Sequence, residues 1–230
     1  MKTMKLAILA GTAGALFFLN NSEAQTSFTN TLNQNIPDGN PVGLVSSTSL
    51  SGLTGTISGI SVNLDITGGF NGNLYAYLLG PNGSMAVLLN RVGLSSTDAF
   101  GYDDTGFNIT LTNGAPDLHF YQTGSYTLNG NGQLTGTWSP DGRNISPGSA
   151  ASAFDPAGPY GLNAFSVFNN INPDGQWTLF VADLVNGGGQ SVFVDWSLTI
   201  VTVPEPQTWV FMVGGACLLL ALHRHRRRLG

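Results

Sequence analysis

Ile60, Val62, Leu64 and Ile66 alternate with Ser61, Asn63 and Asp65, and Val194, Trp196, Leu198 and Ile200 alternate with Asp195, Ser197 and Thr199. Each run has the two-residue period of a strand with one wet face, so both predict half-buried β-strands. The stretch LYAYLLGPNGSMAVLL sets two apolar runs around Gly80-Pro81-Asn82-Gly83. That cluster supplies a fixed φ and a positive φ, and it predicts a hairpin. GQWTLFVAD, entered through Pro173-Asp174-Gly175, reads as another strand. No stretch carries a helical period. Short strands broken by Gly and Asn predict an all-β fold, a jelly-roll-like β-sandwich.

Two apolar segments stand outside this pattern. In residues 1–24, Lys2 and Lys5 precede an apolar run from Leu6 to Leu19, and Ser22-Glu23-Ala24 puts small residues where a signal peptidase inspects the chain. This predicts a signal peptide cleaved after Ala24, because the run is short for a bilayer span and ends in Asn20-Asn21. In residues 204–230, the stretch from Trp209 to Leu222 would form about 21 Å of helix against a hydrocarbon core of about 30 Å. Trp209 marks one interface, and Arg224, Arg226, Arg227 and Arg228 mark the cytoplasmic side of a short transmembrane helix. Pro204, Glu205 and Pro206 continue neither a strand nor a helix, so they predict an extended linker before the span. Residues 25–203 are then one domain, long enough to bury about two-thirds of its unfolded surface.

Charge narrows the partners. The whole chain carries −5, but four of its eight basic residues lie in the tail and two in the leader. Between residues 25 and 203 only Arg91 and Arg143 face eleven aspartates, with no Lys and no Glu, which leaves that domain at −9. Such a surface repels nucleic acid and anionic lipid. The single cysteine, Cys217, is in the tail, so the domain is stabilised by its core or by a bound metal rather than by disulfides.

Three blocks, in order, carry a resemblance. They are ISGISVNLDITGGFNGNLYAYLLGPNGSMAVLLNRVG from Ile57 to Gly93, FGYDDTGFN with LTGTWSPDG after it, and LNAFSVFNNINPDGQWTLFVADLVNGGGQSVFVDWSLTI from Leu162 to Ile200. They resemble the P domain, or homo B domain, that follows the catalytic domain of proprotein convertases and many bacterial subtilisin-like proteases. Gly175-x-Trp177-x-Leu179-x-Val181-x-Asp183 and Trp196-Ser197-Leu198 are the most specific part. The resemblance implies a jelly-roll-like sandwich and, for some members, bound calcium. Asp65, Asp103, Asp104 and Asp183 are the candidate ligands, since a hard cation needs several oxygens with negative charge among them. Two family carboxylates are missing: Gly72-Asn73-Leu74 stands where the family has Gly-Asp-Leu, and Gly188-Gly189-Gln190-Ser191 where it has Gly-Asp-x-Gly. The plainer alternative is a solvated turn at Asp103-Asp104 and a strand-end cap at Asp183. The tail, in turn, resembles the PEP-CTERM sorting signal of Gram-negative bacteria. That resemblance implies processing at Pro204-Glu205-Pro206 by exosortase, a membrane transpeptidase.

Three fragments invite a catalytic reading, and their context opposes it. GSMA, at Gly83 to Ala86, is similar to the nucleophile loop of subtilisin-like proteases, yet Ser84 sits in a hairpin and precedes His119, the only histidine of the domain. DTG, at Asp104 to Gly106, occurs once, whereas aspartic protease chemistry needs two facing carboxylates. His119 lacks a second His or Cys for zinc and reads as a loop residue. Tyr102, Tyr121, Tyr126, Trp138 and Tyr160 lie in a Gly/Asn-rich stretch, where they either stack on sugars and partners or fold back onto the sandwich.

These readings converge on an exported, non-catalytic protein with no catalytic residues. Its expected route is transient membrane insertion as an inner-membrane intermediate, processing by an exosortase-type transpeptidase, and placement at the cell surface or in the extracellular matrix. The expected partners there are an extracellular polysaccharide or a surface protein. The rival expectation is an accessory module acting with a separate subtilisin-like serine endopeptidase.

Overall fold

The computed structural model describes residues 23–156, 160–203, 214, 215 and 218. The leader up to residue 22 lies outside them, as do Pro204, Glu205, Pro206, Trp209, Arg224, Arg226, Arg227 and Arg228. Among the described residues, no helix is long and apolar enough to cross a membrane.

The strands are β1 (Ala24–Asn35), β2 (Leu44–Leu50), β3 (Thr56–Thr67), β4 (Leu74–Leu79), β5 (Met85–Asn90), β6 (Gly106–Thr112), β7 (Leu134–Trp138), β8 (Gly175–Asp183) and β9 (Val192–Val203). They form two sheets, one ordered β1-β9-β3-β6-β7 and the other β2-β8-β4-β5. The two inner faces close on one core, giving the β-sandwich that the alternating sequence predicts. The GPNG hairpin forms as expected: Gly80 N–H donates to the Ser84 carbonyl at 2.9 Å, and Gly83 turns the chain at φ 81°.

Alternation explains the layers. In β3, Ile60, Val62, Leu64 and Ile66 are buried, while Ser61, Asn63 and Asp65 face the other way. In β8 Trp177, Leu179 and Val181 are the alternating buried positions, with Ala182 and Asp183 buried at the strand end. One expectation needs correction. Val194 is half-exposed, and Phe193 takes the core position, because β9 carries a bulge where its pairing to β3 jumps from Asp65–Asp195 to Ile66–Phe193. The extra residue puts Val194 and Asp195 on the outer side together. Asp195 thereby comes opposite Asp65, and partial burial, with the Asp65 charge adding, pushes its carboxyl up from the usual range.

Between β6 and β8 the chain adds structure that alternation does not announce. β7 pairs in parallel with β6, and 3-10 turns form at Leu118–Thr123, Ala151–Phe154 and Ala164–Phe168. The last of these delivers Phe165 and Phe168 to the core, Phe168 meeting Trp177 edge-on at 5.1 Å between ring centres. The sheets are also tied by a polar bond. Trp196, fully buried on β9, donates its indole N–H to Ser46 Oγ on β2 at 2.8 Å.

Removing that acceptor would leave a buried donor facing methyl groups. Ser46→Ala is expected to cost about 1–2 kcal/mol in urea unfolding with an unchanged m value. Wild-type stability in this variant would show that the bond contributes nothing.

Candidate binding clefts

The segment after β5 is folded by its own side chains. Ser95 and Asp98 exchange backbone hydrogen bonds at 2.8 and 3.1 Å, and Asp98 Oδ1 accepts from the N–H groups of Phe100 and Gly101. Gly101, at φ 74°, lies against Gly72, and a Cβ there would come within 2.6 Å of the Val92 carbonyl oxygen. Gly93, at φ 83°, lies under the Tyr102 ring, where a Cβ would approach ring carbons at 2.5 Å. Glycine at 93 therefore sets how close Tyr102 sits to the sandwich.

Two clefts open on either side of the Asp98 to Tyr102 segment. One, of about 430 Å3, is walled by Gly93, Ser95, Ser96, Thr97, Phe120, Thr123 and Asp155 together with Asp98 and Tyr102. The other, of about 380 Å3, is walled by Phe70, Phe100, Gly101, Asp103 and Gln122 with the same Asp98 and Tyr102. Phe100 is 76% exposed at the edge. Asp155 accepts from the Ser96 N–H at 2.6 Å, and that backbone bond holds its carboxyl below the usual range. Neither cleft is lined by a Lys, Arg or His side chain.

Tyr102, shared by the two clefts, packs on a chain of polar and aromatic groups. Tyr102 meets Tyr121 edge-on at 4.6 Å, and Tyr121 in turn contacts Tyr126 and Trp138. The Tyr121 hydroxyl accepts from Asn71 Nδ2 and donates to Asp104 Oδ2 at 2.7 Å, while Gln122 Nε2 donates to the same Asp104 oxygen. Asn71 Oδ1 accepts from the Gly106 N–H, which starts β6. Burial keeps the Tyr121 phenol protonated far above its ordinary range. Most of the aromatics of this stretch thus fold back onto the sandwich, with Tyr126 and Tyr160 remaining exposed.

Behind Phe120 lies a charged cluster. His119 is fully buried, its Nδ1 2.6 Å from Asp141 Oδ2 and its Nε2 3.0 Å from the Leu94 carbonyl oxygen. Arg143 lies between the Phe120 and Tyr160 rings, 4.9 Å from each centroid, and donates to Asp141 and Asp117. Asp117 also caps the 3-10 turn by accepting from the His119 N–H. His119 is therefore not the loop residue expected from sequence; it is a core residue in an ion cluster. The sequence signal for that cluster is scarcity, since Arg143 is one of two cations in an acidic domain.

The four candidate calcium ligands do not come together. Asp65 accepts from Gln133 Nε2 and Asn108 Nδ2 on the outer sheet face, and Asp103 is exposed at the second cleft. Asp104 serves Tyr121 and Gln122. Asp183, at the end of β8, accepts from the Val185 N–H and Ser191 Oγ. Around Asp183 the neighbouring side chains supply donors rather than carboxylates. Asn73 Nδ2 donates to the Val185 and Gly187 carbonyls, and Gln190 Nε2 donates to those of Ile36 and Ser191. Amide N–H groups turned toward carbonyl oxygens occupy the acceptors a cation would need, so these residues do not fit calcium. Among the described residues no group of three His, Cys, Asp or Glu side chains could hold a metal. Burial, with the Asp38 charge adding, pushes the Asp183 carboxyl up from its usual value.

No family model matches the chain, and no curated protein matches it. Among solved structures, the serine protease of Aeromonas sobria aligns with a TM-score of 0.44 and 12% identity, and its complex with the chaperone ORF2 with 0.45 and 13%. The alignments cover 82% and 80% of this chain, which spans 28% of the length of the protease in each case.

Two outcomes follow from these contacts. Melting temperature is expected to be the same in millimolar calcium and in EDTA; a rise with calcium would show that Asn73 and Gln190 leave room for an ion. A carboxyl whose folded pKa is raised contributes stability only at low pH, and loses it as pH rises through the raised value. Asp183→Asn should therefore raise the melting temperature at pH 7, and the gain should vanish below about pH 4, where the free carboxyl is protonated in both states.

Proposed function

We propose that this chain is an exported, non-catalytic binding or structural module, delivered by a PEP-CTERM-type tail to the cell surface or extracellular matrix of a Gram-negative bacterium. The observation that carries the non-catalytic half is the state of His119. A serine nucleophile needs a base with a free lone pair aimed at it. His119 is the only histidine among the described residues, is sealed from solvent, and has both ring nitrogens taken by Asp141 and Leu94. Ser84, the one serine with a protease-like neighbourhood in sequence, sits in the β4–β5 turn bonded to Asn82 Nδ2 at 2.8 Å. Asp104 of the DTG fragment is engaged by Tyr121 and Gln122. The P-domain-like blocks fit a module that binds or supports, and the −9 domain charge keeps it off anionic surfaces.

Delivery rests on the order of sequence features in the tail. In the processed protein, Pro204 to Pro206 mark the new C-terminus and Arg228 is lost.

Two measurements test the two halves. The purified chain should hydrolyse neither casein nor chromogenic peptides; activity that disappears in Ser84→Ala would overturn the non-catalytic reading. Mass spectrometry of the protein recovered from cells should find the mature C-terminus near Pro204 to Pro206, and retention of Arg228 would make the tail a permanent anchor.

A further inference from the structure

The paired clefts around Tyr102 lie apart from the tail features on which the delivery reading rests. We infer that they form one extended binding site for a neutral glycan, bound along the line from Phe120 past Tyr102 to Phe100. This names a ligand class for the binding role proposed above and rests on that reading.

Three features of the lining select the ligand. Aromatic rings stand on both sides of the shared wall: Phe120 with Tyr102 in the larger cleft, and Phe100 with Tyr102 in the smaller. A pyranose offers an apolar C–H face to such rings while its edges carry hydroxyls. The polar groups between the rings can meet those hydroxyls. Ser96 and Thr97 bring hydroxyls, which both donate and accept, and Asp98 brings a carboxylate whose Oδ1 is fixed by two backbone N–H groups. Asp98 is common to both clefts, so a chain of sugars crossing from one to the other would pass it.

Charge removes the competing classes. An anionic polymer would meet Asp98, Asp103 and Asp155 with no basic side chain in either wall. Arg143 is 2% exposed and committed to Asp117 and Asp141. Arg91 donates its Nε to the Gly72 carbonyl. A cationic peptide would need carboxylates free to meet it, and here two of the three are engaged by the protein's own backbone. Asp155 is tied to Ser96, Asp98 to the turn at Phe100 and Gly101, and Asp103 opens to solvent at the second cleft. A neutral polyhydroxyl chain needs only dispersed acceptors beside rings, which is what the two clefts present.

The test titrates the purified full chain with hexasaccharides of β-1,4-linked glucose, β-1,4-linked mannose and α-1,4-linked glucose, read by calorimetry and by tyrosine fluorescence. A polygalacturonate hexamer and nona-arginine serve as charged comparators. At least one neutral hexasaccharide is expected to bind, and neither charged probe to do so. Phe100→Ala should weaken binding about tenfold with an unchanged melting temperature, because that ring is exposed and its loss removes one stacking contact. Asp98→Asn, which keeps the Oδ1 acceptor of the turn, should weaken it as well. The proposal is overturned if none of the three neutral sugars binds at millimolar concentration, if binding is indifferent to both substitutions, or if nona-arginine binds in their place. The mature C-terminus and the peptidase assay do not depend on these titrations, so failure of the glycan site and failure of the delivery reading are separable.

Discussion

Arg143 is the contact that joins the polar segments of the excursion between β6 and β8. The sandwich itself is held by two sheets closing on Trp177, Trp196 and the aliphatic rows of β3 and β8. The long excursion between β6 and β8 sends Leu118, Tyr121, Leu134, Trp138, Phe165 and Phe168 into the same core. Its polar segments meet at one guanidinium, which lies against the Phe120 and Tyr160 rings and reaches Asp117, Asp141 and the Pro156 carbonyl. Buried ion pairs are costly to desolvate, and this one is tolerable because nearly every neighbour is a carboxylate, a carbonyl or a ring face. His119 extends the cluster to the Leu94 carbonyl and so couples the excursion to the loop after β5. The position of Phe120, and with it one wall of the larger cleft, follows from a charge placed more than twenty residues further along the chain.

The sequence made the sandwich legible where a single strand carries its own evidence. Ile60 to Ile66, the GPNG hairpin and the run from Gly175 to Asp183 each show period or turn chemistry within a short window, and each forms as that window implies. What lay beyond reading depended on distant partners. Val194 looks inward by alternation and faces outward, because the bulge in β9 is fixed by pairing with β3 rather than by its own residues. β7 contains Gly136 at φ 102° and reads as loop, yet it adds a parallel edge to β6. His119 gave a lone-histidine signal and no more, since Asp141 and Leu94 are brought to it only by the fold.

The candidate site divides the same way. Aromatics in an Asn-rich stretch could be seen as either sugar platforms or core, and the structure splits them. Tyr121 and Trp138 became core, while Tyr102 became a wall shared with Phe100 and Phe120. The carboxylates were legible as a set but not as a geometry, and the set dissolves into separate hydrogen-bonded tasks. Asn73 and Gln190 show why composition alone misleads: their amides hold the loops around Asp183 by donating to carbonyls, and neither gathers an ion.

The register of the outer strands also governs when this fold can exist at all. Ala24 pairs with Thr202, and β9 is seated between β1 and β3, with Ser27 and Thr199 joined by their hydroxyls across 172 positions. β9, the last strand among the described residues, is therefore an interior strand of the larger sheet, and β1 has no partner until it arrives. Contacts of such separation form slowly and late. A ribosome still holding residues near 200 holds an incomplete larger sheet, which closes only when the stretch just ahead of Pro204 is released.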